Sequence, residues 1–474
     1  MKVYFYHTQD LNQIYSKWQE GKFPGHFLYG ATHLPKYGVD VVMHRHKDIA
    51  NRVQLAVYVA WRIMTCREHF DAIYATRFNG LELIIFLRAL HLYYKPVILW
   101  HHQPIVKADN GLREMIAQVF YRGIDHMFFF SNRLIQDSLK SSKANEARMQ
   151  VGHWGGDLDY YDRLKRENPM DEHVGFISTG KEKRDMPTLI RAFSATGHPL
   201  DIYIAYSACG DNYLEILNDL RPSANIHINF IKGLIPNELA QKVWAAKCVT
   251  ICCQETNYTV GLTTLVEALA LGLPVIATRN VTFPFDIEKE GVGIIVPYYD
   301  SVAWERAIRF ISSNPEEADK MGRKARQLAE RLYNLDYCAS EVAEAIKKYD
   351  KHVQKAEKPV VTSQKPVTTP QESVPVTEQP KPVMEEKPEP VSVEPKPERS
   401  VADEPIINTA ALKKRMQGLV DKSQALVGYV KSAADRLPGK EQLKSYLPPK
   451  EDVIEVWEKL KLLAKKYIER LKSK

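Results

Sequence analysis

The feature that most limits how this chain can fold is a repeating order of short apolar strand, loop and helix, which runs through its first 350 residues. Such an order predicts parallel sheets joined by crossover helices, because neighbouring parallel strands need a long return connection. Eleven segments have the apolar, β-branched and aromatic character of buried strands. They are Lys2–His7, Val39–His44, Asp71–Thr76, Pro96–Trp100, His126–Ser131, Val174–Ser178, Leu200–Tyr206, Ile226–Phe230, Cys248–Cys253, Pro274–Thr278 and Gly293–Val296.

The eleven segments fall into two groups, and each group is large enough for its own doubly wound sheet. Between the groups lies His153–Asp157, where two adjacent glycines favour a sharp turn of the chain. We therefore predict an α/β fold with two Rossmann-like domains, over residues 1–160 and 161–350. Two facing domains of this kind leave a cleft in which two substrates can meet.

The composition changes abruptly after residue 350. Residues 351–405 contain eleven of the 27 prolines and no aromatic residue, which predicts a disordered Pro/Glu/Lys linker. Residues 406–474 carry sixteen Lys and Arg against eight Asp and Glu and end in an amphipathic helical pattern, so we predict a basic helical tail. The tail favours an anionic membrane surface or partner helices. Nucleic acid is not expected, because the aromatic side chains follow the apolar helix face.

No window of the sequence reaches the ~18 consecutive apolar residues that would span a bilayer. Polar residues also follow Met1 too soon for a signal peptide. We therefore expect a cytoplasmic protein, peripheral at the inner membrane face through its tail.

The richest segment of the sequence is a buried strand, a loop and a helix around Gly261. The backbone N–H groups of Leu262, Thr263 and Thr264 would point outward from the start of this helix. Together with the two threonine hydroxyls, they suit a phosphate or diphosphate. Glu267, one turn further on, would accept hydrogen bonds from a vicinal diol such as a ribose, or would only interact with the dipole of its own helix.

A second glycine turn follows the first strand of the second half. Gly180 is followed directly by Lys181 and, three residues later, by Arg184. This turn lies at the carboxyl edge of the predicted sheet, where ligands of open α/β folds bind. Lys181 and Arg184 could neutralise a diphosphate, with Arg184 forming two hydrogen bonds. A solvated charged loop is the alternative.

Two histidines lie at the corresponding edge of the first sheet. His101 and His102 come just past the predicted strand Pro96–Trp100. Each is a candidate for contact with a ligand, and a histidine satisfied by core hydrogen bonds is the alternative.

Taken together, these segments resemble the GT-B-fold glycosyltransferases, specifically the retaining enzymes of glycosyltransferase family 4. The resemblance covers about residues 1–345 and is strongest over Gly261–Thr278, which is similar to the family's glycine, Glu-Ala-Leu-Ala helix and Gly-x-Pro-Val-Ile-Ala-Thr signature. The pairs at 180–181 and 184–185 resemble its basic diphosphate clamp. His102, more closely than His101, resembles a family histidine that approaches the donor sugar.

The resemblance implies transfer of a sugar from a nucleotide-diphosphate donor to a glycan, lipid-linked or other acceptor, with retention and with no metal or other cofactor required. The donor would be held mainly by the second domain and the acceptor by the first. Lys181, Arg184 and the amides near Thr263 would stabilise the departing diphosphate. The leaving phosphate would accept the acceptor's proton, and Glu267 would hold the donor ribose.

One position departs from the family pattern. A second carboxylate commonly lies eight positions before the helix glutamate, and that position is Thr259 here. Three explanations stay open: a rearranged loop, a contribution from Glu255 further upstream, and loss of activity. Thr259 makes an inactive GT-B scaffold that binds a nucleotide or partner helices one alternative to a transferase. A nucleotide-sugar epimerase of the same architecture is the other.

Two short motifs contain residue types that bind metals. Asp157 and Asp159 spell Asp-x-Asp, but they follow a glycine pair rather than a strand, which favours a domain-junction loop. His44 and His46 alternate, yet no third ligand is evident. We predict no metal site.

Overall fold

The computed structural model describes residues 1–233 and 235–350. The predicted linker, residues 351–405, and the predicted basic tail, residues 406–474, lie outside the described residues. Within the described ranges, no helix combines the length and the apolar character needed to cross a bilayer.

The first sheet has six strands and is parallel throughout. In chain order they are β1 (Lys2–Tyr6), β2 (Asp40–Met43), β3 (Ala72–Ala75), β4 (Val97–Trp100), β5 (His126–Phe129) and β6 (Met149–Val151), and their spatial order is β2-β1-β3-β4-β5-β6. The helices are α1 (Leu11–Gln19), α2 (Arg52–Met64), α3 (Glu82–Ala89), α4 (Gly111–Arg122) and α5 (Asn132–Leu139), with short 3-10 helices at Gly25–Leu28, Leu34–Tyr37 and Glu146–Arg148. Every residue of β3, β4 and β5 is buried, as expected for a parallel sheet covered on both faces.

The second sheet is also parallel and six-stranded, and α6 (Leu158–Glu167) leads into it. Its strands are β7 (Phe176–Thr179), β8 (Leu200–Ala205), β11 (Ile226–Ile231), β12 (Cys248–Ile251), β13 (Val275–Thr278) and β14 (Gly293–Val296), in the spatial order β11-β8-β7-β12-β13-β14. A short antiparallel hairpin of β9 (Ser207–Ala208) and β10 (Asp211–Asn212) follows β8. The helices are α7 (Met186–Thr196), α8 (Tyr213–Leu220), α9 (Pro236–Ala245), α10 (Leu262–Leu271), α11 (Ile287–Glu290), α12 (Ser301–Ser313), α13 (Pro315–Arg331) and α14 (Leu335–Lys347).

All eleven predicted strands are present, and their ends differ from the prediction by at most two residues. The sequence did not reveal β6 or the β9–β10 hairpin. β6 has three half-buried residues at the edge of its sheet, and each hairpin strand has only two residues. Segments this short carry too little alternation to be recognised.

The caps distinguish one helix from most of the others. Several helices follow a capping residue whose side chain accepts hydrogen bonds from N–H groups of the first turn. Among these residues are Asp10 for α1, Asn51 for α2, Asn110 for α4 and Asp157 for α6. Helix α10 instead begins at Gly261, which offers no side chain to its first turn.

The last helix packs against the first domain, although it follows the second domain in the chain. The Tyr37 hydroxyl donates to the Asp336 carboxylate at 2.7 Å. The Tyr349 hydroxyl donates to the Asp125 carbonyl, also at 2.7 Å. The chain therefore passes between the two domains twice, once before α6 and once before α14.

Gly155 and Gly156 mark a close contact of two backbones where the sequence predicted a sharp turn. Neither has a positive φ. A Cβ on Gly155 would collide with the backbone of Tyr333, and Gly156 forms an isolated bridge with Asn334. Glycine is needed here because the two passages of the chain touch each other.

Candidate functional site

The two glycine turns singled out in the sequence lie side by side in the second sheet. Strands β7 and β12 are neighbours, and the chain continues from them to opposite sides, to β8 and to β13. Loops that separate in this way leave a crevice at the carboxyl edge of the sheet. Gly180 directly follows β7, and Gly261 ends the loop after β12, so both turns border this crevice.

Backbone hydrogen bonds hold the two loops together. The N–H of Asp185 donates to the Cys252 carbonyl at 3.1 Å, and the N–H of Gln254 donates to the Lys183 carbonyl at 2.8 Å. The fold thus fixes the position of the residue between them, Arg184.

The guanidinium of Arg184 lies between the two loops. Its Nε and Nη2 donate to the Thr179 carbonyl at 3.1 and 2.9 Å. Its Nη1 lies 2.8 Å from the Sγ of Cys253, and its Nη2 lies 3.3 Å from the Oγ1 of Thr264. The residue is only 4% exposed.

Both glycines lie beside this guanidinium. Gly180 has φ +111°, and a Cβ there would collide with the Nη2 of Arg184. Gly261 has φ +85°, and a Cβ there would lie 3.4 Å from Nη1 and 2.5 Å from the Cγ2 of Ile251. Glycine is therefore required at 180 for the guanidinium to lie where it does, and at 261 for the start of α10 to pack against Ile251.

Arg184 is a buried cation that forms no ion pair within the described part of the chain. Its hydrogen-bond partners are two threonines and a cysteine, and no carboxylate of the described residues forms an ion pair with it. An uncompensated buried charge costs several kcal/mol in an apolar interior. This cost makes the crevice favourable for an anion.

The start of α10 adds further positive potential to the same crevice. With no side-chain cap at Gly261, the first N–H groups of the helix are left for a ligand. Leu262 is buried and Thr263 is half-buried. The hydroxyl of Thr264 is buried and lies 3.2 Å from that of Thr179, so it braces the strand that precedes Gly180 and is less available to a ligand than the sequence implied.

Glu267 lies on the same side of α10 as Thr263 and Thr264, one turn further along the helix. It is half-buried. Burial raises the pKa of its carboxyl group from 4.5 to about 7, and the nearby Tyr161 hydroxyl of α6 opposes this rise more weakly. The group therefore changes its charge near neutral pH, where a ligand that donates hydrogen bonds would favour the ionised form.

The two lysines of the first glycine turn differ in their surroundings. Lys181 is exposed next to Gly180 and has no ion-pair partner among the described residues. Lys183 lies 3.2 Å from the carboxylate of Asp211 in β10. Lys181 is thus the cation that a ligand could recruit, whereas Lys183 holds the hairpin.

Thr259, where the family commonly has a carboxylate, has a partner within the fold. Its hydroxyl donates to the Thr282 carbonyl at 2.9 Å. Glu255 is exposed. The Glu182 carboxylate accepts a hydrogen bond from the Tyr258 hydroxyl at 2.9 Å, so a different acidic residue contacts this loop. These contacts fit the rearranged-loop alternative.

A second switch point lies in the first sheet, between the neighbouring strands β1 and β3. There the Nε2 of His102 donates to the Thr76 carbonyl at 2.9 Å, the tautomer being fixed by this carbonyl partner. Burial, helped by the charge of Arg77, lowers the pKa of His102 to about 3. His102 is therefore neutral at physiological pH, and its Nδ1 is a hydrogen-bond acceptor.

His101 is used inside the fold. Its Nδ1 lies 2.5 Å from the Gln103 carbonyl, and its Nε2 lies 2.9 Å from the Tyr121 hydroxyl. The residue is buried. Since both ring nitrogens have partners, this geometry fits the core-histidine alternative.

Two residues beside His102 were missed by the sequence analysis. His7 follows β1 directly and Arg77 lies two residues past β3. Burial, with the charge of Arg77, lowers the pKa of His7 to about 3. Their position at or just past the ends of two predicted strands was the available signal, but neither belongs to a recognisable motif.

The described residues contain no group of three or more His, Cys, Asp and Glu side chains arranged to hold a metal ion. Asp157 caps α6 and accepts a hydrogen bond from the Gly25 N–H at 2.7 Å. His44 Nδ1 lies 2.8 Å from the Tyr4 hydroxyl. Both short motifs thus have structural partners.

Known families and proteins provide an independent comparison. Residues 161–328 match the family described as glycosyl transferases group 1. The chain is 25% identical to the D-inositol 3-phosphate glycosyltransferase of Corynebacterium jeikeium over 288 residues, which are 54% of this chain and 68% of that protein. It is 24% identical to the enzyme of the same name from Corynebacterium glutamicum, over 46% of this chain and 56% of that protein.

Solved structures share the architecture at low sequence identity. Sucrose-phosphate synthase from Thermosynechococcus elongatus has a TM-score of 0.56 and 14% identity, covering 75% of this chain and 99% of its own. HepE from Anabaena, solved in complex with UDP, has a TM-score of 0.51 and 13% identity, covering 73% of this chain and 100% of its own. At these identities the likeness concerns the fold, and it confirms the two-domain architecture expected from the sequence.

Proposed function

We propose that this chain, whose residues 161–328 match the glycosyl transferases group 1 family and whose two domains have the GT-B fold, transfers a sugar from a nucleotide-diphosphate sugar to an acceptor. The observation that carries the proposal is the buried guanidinium of Arg184, which lies between two glycine turns and has no ion-pair partner among the described residues. HepE has been solved with UDP and with UDP-glucose, and its fold is similar. These complexes support a nucleotide-sugar donor.

The diphosphate of the donor would lie in the crevice of the second domain. Arg184 would supply the opposite charge from below, the open N-terminus of α10 would supply N–H donors, and Lys181 would close over the outer side. As the glycosidic bond to the phosphate breaks, negative charge grows on the leaving diphosphate. Fixed positive groups at this position stabilise that charge more in the transition state than in the ground state.

Glu267 would receive the ribose of the donor. Its carboxylate lies one turn into α10, past the amides that would hold the diphosphate. Two vicinal hydroxyls can donate to one carboxylate. Gly180, Gly261 and Leu262 would contribute backbone to the same site, while Thr263 is the hydroxyl that remains accessible.

The acceptor would enter from the first domain, with His102 facing the donor sugar. A neutral His102 with a free Nδ1 acceptor can accept a hydrogen bond from a sugar hydroxyl. We extend the proposal to retention at the anomeric carbon, with the leaving phosphate taking the proton of the acceptor. A glycan or lipid-linked acceptor of polysaccharide biosynthesis, reached from the cytoplasmic side of a membrane, completes the proposal.

Calorimetric titration of the full chain with UDP, GDP and ADP tests the donor site. We expect one of the three nucleotides to bind, and Lys181→Ala to weaken that binding about tenfold because one charge-assisted contact is lost. Lys324→Ala is the matched control, since Lys324 is an exposed lysine of the same domain on α13. Binding of none of the three nucleotides at millimolar concentration would overturn the proposal.

Product analysis with the sugar nucleotide that binds separates the remaining alternatives. A transferase delivers the sugar to an added acceptor, whereas an epimerase changes its sugar nucleotide without one. Binding with no turnover would favour the inactive scaffold, an alternative that rests on Thr259 in place of a carboxylate and on its hydrogen bond to Thr282.

A further inference from the structure

The first domain carries an apolar surface that its own fold leaves uncovered. Leu112, Met115 and Ile116 of α4 are 62, 55 and 47% exposed. Their three- and four-residue spacing places them on one side of the helix. The apolar stripe of α4 therefore points outward, and within this helix only Phe120 is buried.

The surface continues across two neighbouring helices. Arg52 of α2 forms an ion pair with Glu82 of α3 at 2.7 Å, which joins the first turns of these helices. The rings of Phe86 in α3 and Phe120 in α4 lie 5.4 Å apart, so α3 and α4 also run side by side. We call the exposed side chains on these three helices the apolar face, which consists of Val53, Val57, Leu83, Leu112, Met115 and Ile116.

The apolar face lies at the same edge of the sheet as the candidate acceptor site. Helices α2, α3 and α4 begin after the carboxyl ends of β2, β3 and β4. Their first two turns, which hold the apolar face, therefore lie toward the edge where His102 follows β4. A partner that covered the face would also cover the approach to this edge.

Exposed cations lie in the segments that lead into these helices. The loops that lead into the three helices, and the first turn of α4, contain four exposed cations without an ion-pair partner among the described residues: Arg45, Arg77, Lys107 and Arg113. The carboxylates of these segments that have no Lys or Arg partner are those of Asp48 and Asp109. The surroundings thus carry a surplus of positive charge.

The positive charge distinguishes between the partners that could cover the apolar face. The chain's own tail, residues 406–474, has sixteen basic against eight acidic residues, so it would bring positive charge to a positive surface. A second copy of the first domain would do the same. A surface that is anionic and also accepts apolar side chains matches both the positive charge and the apolar character of this region.

We propose that the apolar face docks on an anionic phospholipid bilayer, with Leu112, Met115 and Ile116 in the interfacial layer and the surrounding cations against the lipid headgroups. The acceptor edge of the first domain would then open toward the membrane. If the proposed glycosyltransferase function holds, on which this step rests, the acceptor is an amphiphile whose lipid part remains in the bilayer.

Hydrogen exchange of the full chain tests the docking. The amides of residues 106–120 are compared without vesicles, with phosphatidylcholine vesicles and with vesicles that also contain phosphatidylglycerol. We expect slower exchange in this segment only with the anionic vesicles. Vesicle binding that leaves the exchange of residues 106–120 unchanged would assign membrane binding to another part of the chain and overturn the proposal.

Variants provide the second readout. A triple serine variant should lower the partition coefficient onto anionic vesicles by at least about tenfold, since three apolar side chains leave the interface. It carries Leu112→Ser, Met115→Ser and Ile116→Ser. The matched control is Val302→Ser with Phe310→Ser, two exposed apolar positions of α12 in the second domain. An equal decrease of the partition coefficient for the triple variant and the control, or no decrease for either, would overturn the proposal.

The other occupants have distinct signatures. Protection of residues 106–120 without vesicles that grows with protein concentration would indicate a second copy of the chain. Concentration-independent protection without vesicles would indicate the tail, and both results would overturn the bilayer proposal. Nucleotide binding by the triple serine variant in solution should stay unchanged, so failure of the docking and failure of the transferase proposal are distinguishable.

Discussion

Glu267 shows how a single side chain can link ligand binding to protonation. Burial raises the pKa of its carboxyl group to about 7, so at neutral pH the neutral and ionised forms coexist. A ribose donates hydrogen bonds and therefore stabilises the ionised form. Binding of a nucleotide should then release a proton from this residue.

The first prediction concerns this proton. We expect the affinity for the nucleotide to rise as the pH increases through about 7, because the carboxylate that accepts the ribose hydroxyls becomes populated. Calorimetry at several pH values measures the effect. Titration of the nucleotide's own phosphate contributes too, and Glu267→Gln, which has no carboxylate to titrate, separates the two contributions. Identical pH profiles for the two proteins would contradict the assigned role.

The same group affects stability in the opposite direction. Its pKa is higher in the folded protein than in the unfolded chain, so between about pH 4.5 and 7 the folded protein binds the proton that the unfolded chain has released. The contribution of this residue to the free energy of unfolding therefore falls as the pH rises through that window. Glu267 therefore stabilises the ligand-free protein least at the pH at which it binds the ligand best.

The second prediction concerns Gly261. Gly261→Ala would place a Cβ 2.5 Å from the Cγ2 of Ile251 in a residue with φ +85°. We expect it to lower the free energy of unfolding by roughly 2–3 kcal/mol and to weaken nucleotide binding, because the start of α10 must shift. Gly197→Ala is the control: that glycine has φ +72° with nothing within 4 Å of its Cβ position, so only the backbone strain of about 1–2 kcal/mol remains. Chemical denaturation compares the two.

At the scale of the elements, the sequence predicted well those strands that are buried on both faces. β4 is a continuous apolar run, Val97–Trp100, and such a run can be recognised without knowledge of its neighbours. The two glycine turns were also predicted, because each follows a strand and precedes a helix. β6 was missed because three half-buried residues show no period.

Contacts between elements far apart in sequence were not predictable. The partners of Arg184 come from three segments, at Thr179, Cys253 and Thr264, and no local pattern reveals that they converge. The same holds for α14, whose packing on the first domain depends on long-range contacts such as that between Tyr37 and Asp336. The sequence suggested candidate residues for a diphosphate site, but not that Arg184, one of its two cations, is buried.

The third prediction concerns the place where the chain crosses itself. Gly155→Ala would force a Cβ against the backbone of Tyr333, so we expect a loss of about 3 kcal/mol or more in the free energy of unfolding. Gly111→Ala is the control at an open position, the first residue of α4, and there alanine should be neutral or slightly stabilising. Equal unfolding free energies for both variants would contradict the close approach of the two backbones.

At the scale of the whole molecule, the double passage of the chain connects the stabilities of the two domains. The first passage carries Gly156, the second carries Asn334, and the two pair with each other. Beside them, the His153 ring lies 2.8 Å from the Glu341 carboxylate of α14. Neither domain can unfold without disrupting contacts made by the other.

The fourth prediction follows from this arrangement. Differential scanning calorimetry of the full chain should show both domains melting in a single transition, and the nucleotide that binds should raise the midpoint of that transition as a whole. Two separate transitions, with only one of them shifted by the nucleotide, would contradict the coupling.

Because α14 returns to the first domain, both ends of the described part of the chain lie in that domain. β1 lies inside the first sheet, and Tyr349 is held by Asp125 beside β5 of that sheet. A reporter fused after residue 350 would therefore follow the motions of the first domain and leave the second domain unlabelled. Energy transfer from that reporter to a dye on α12 would measure the distance between the two domains before and after the proposed nucleotide is added.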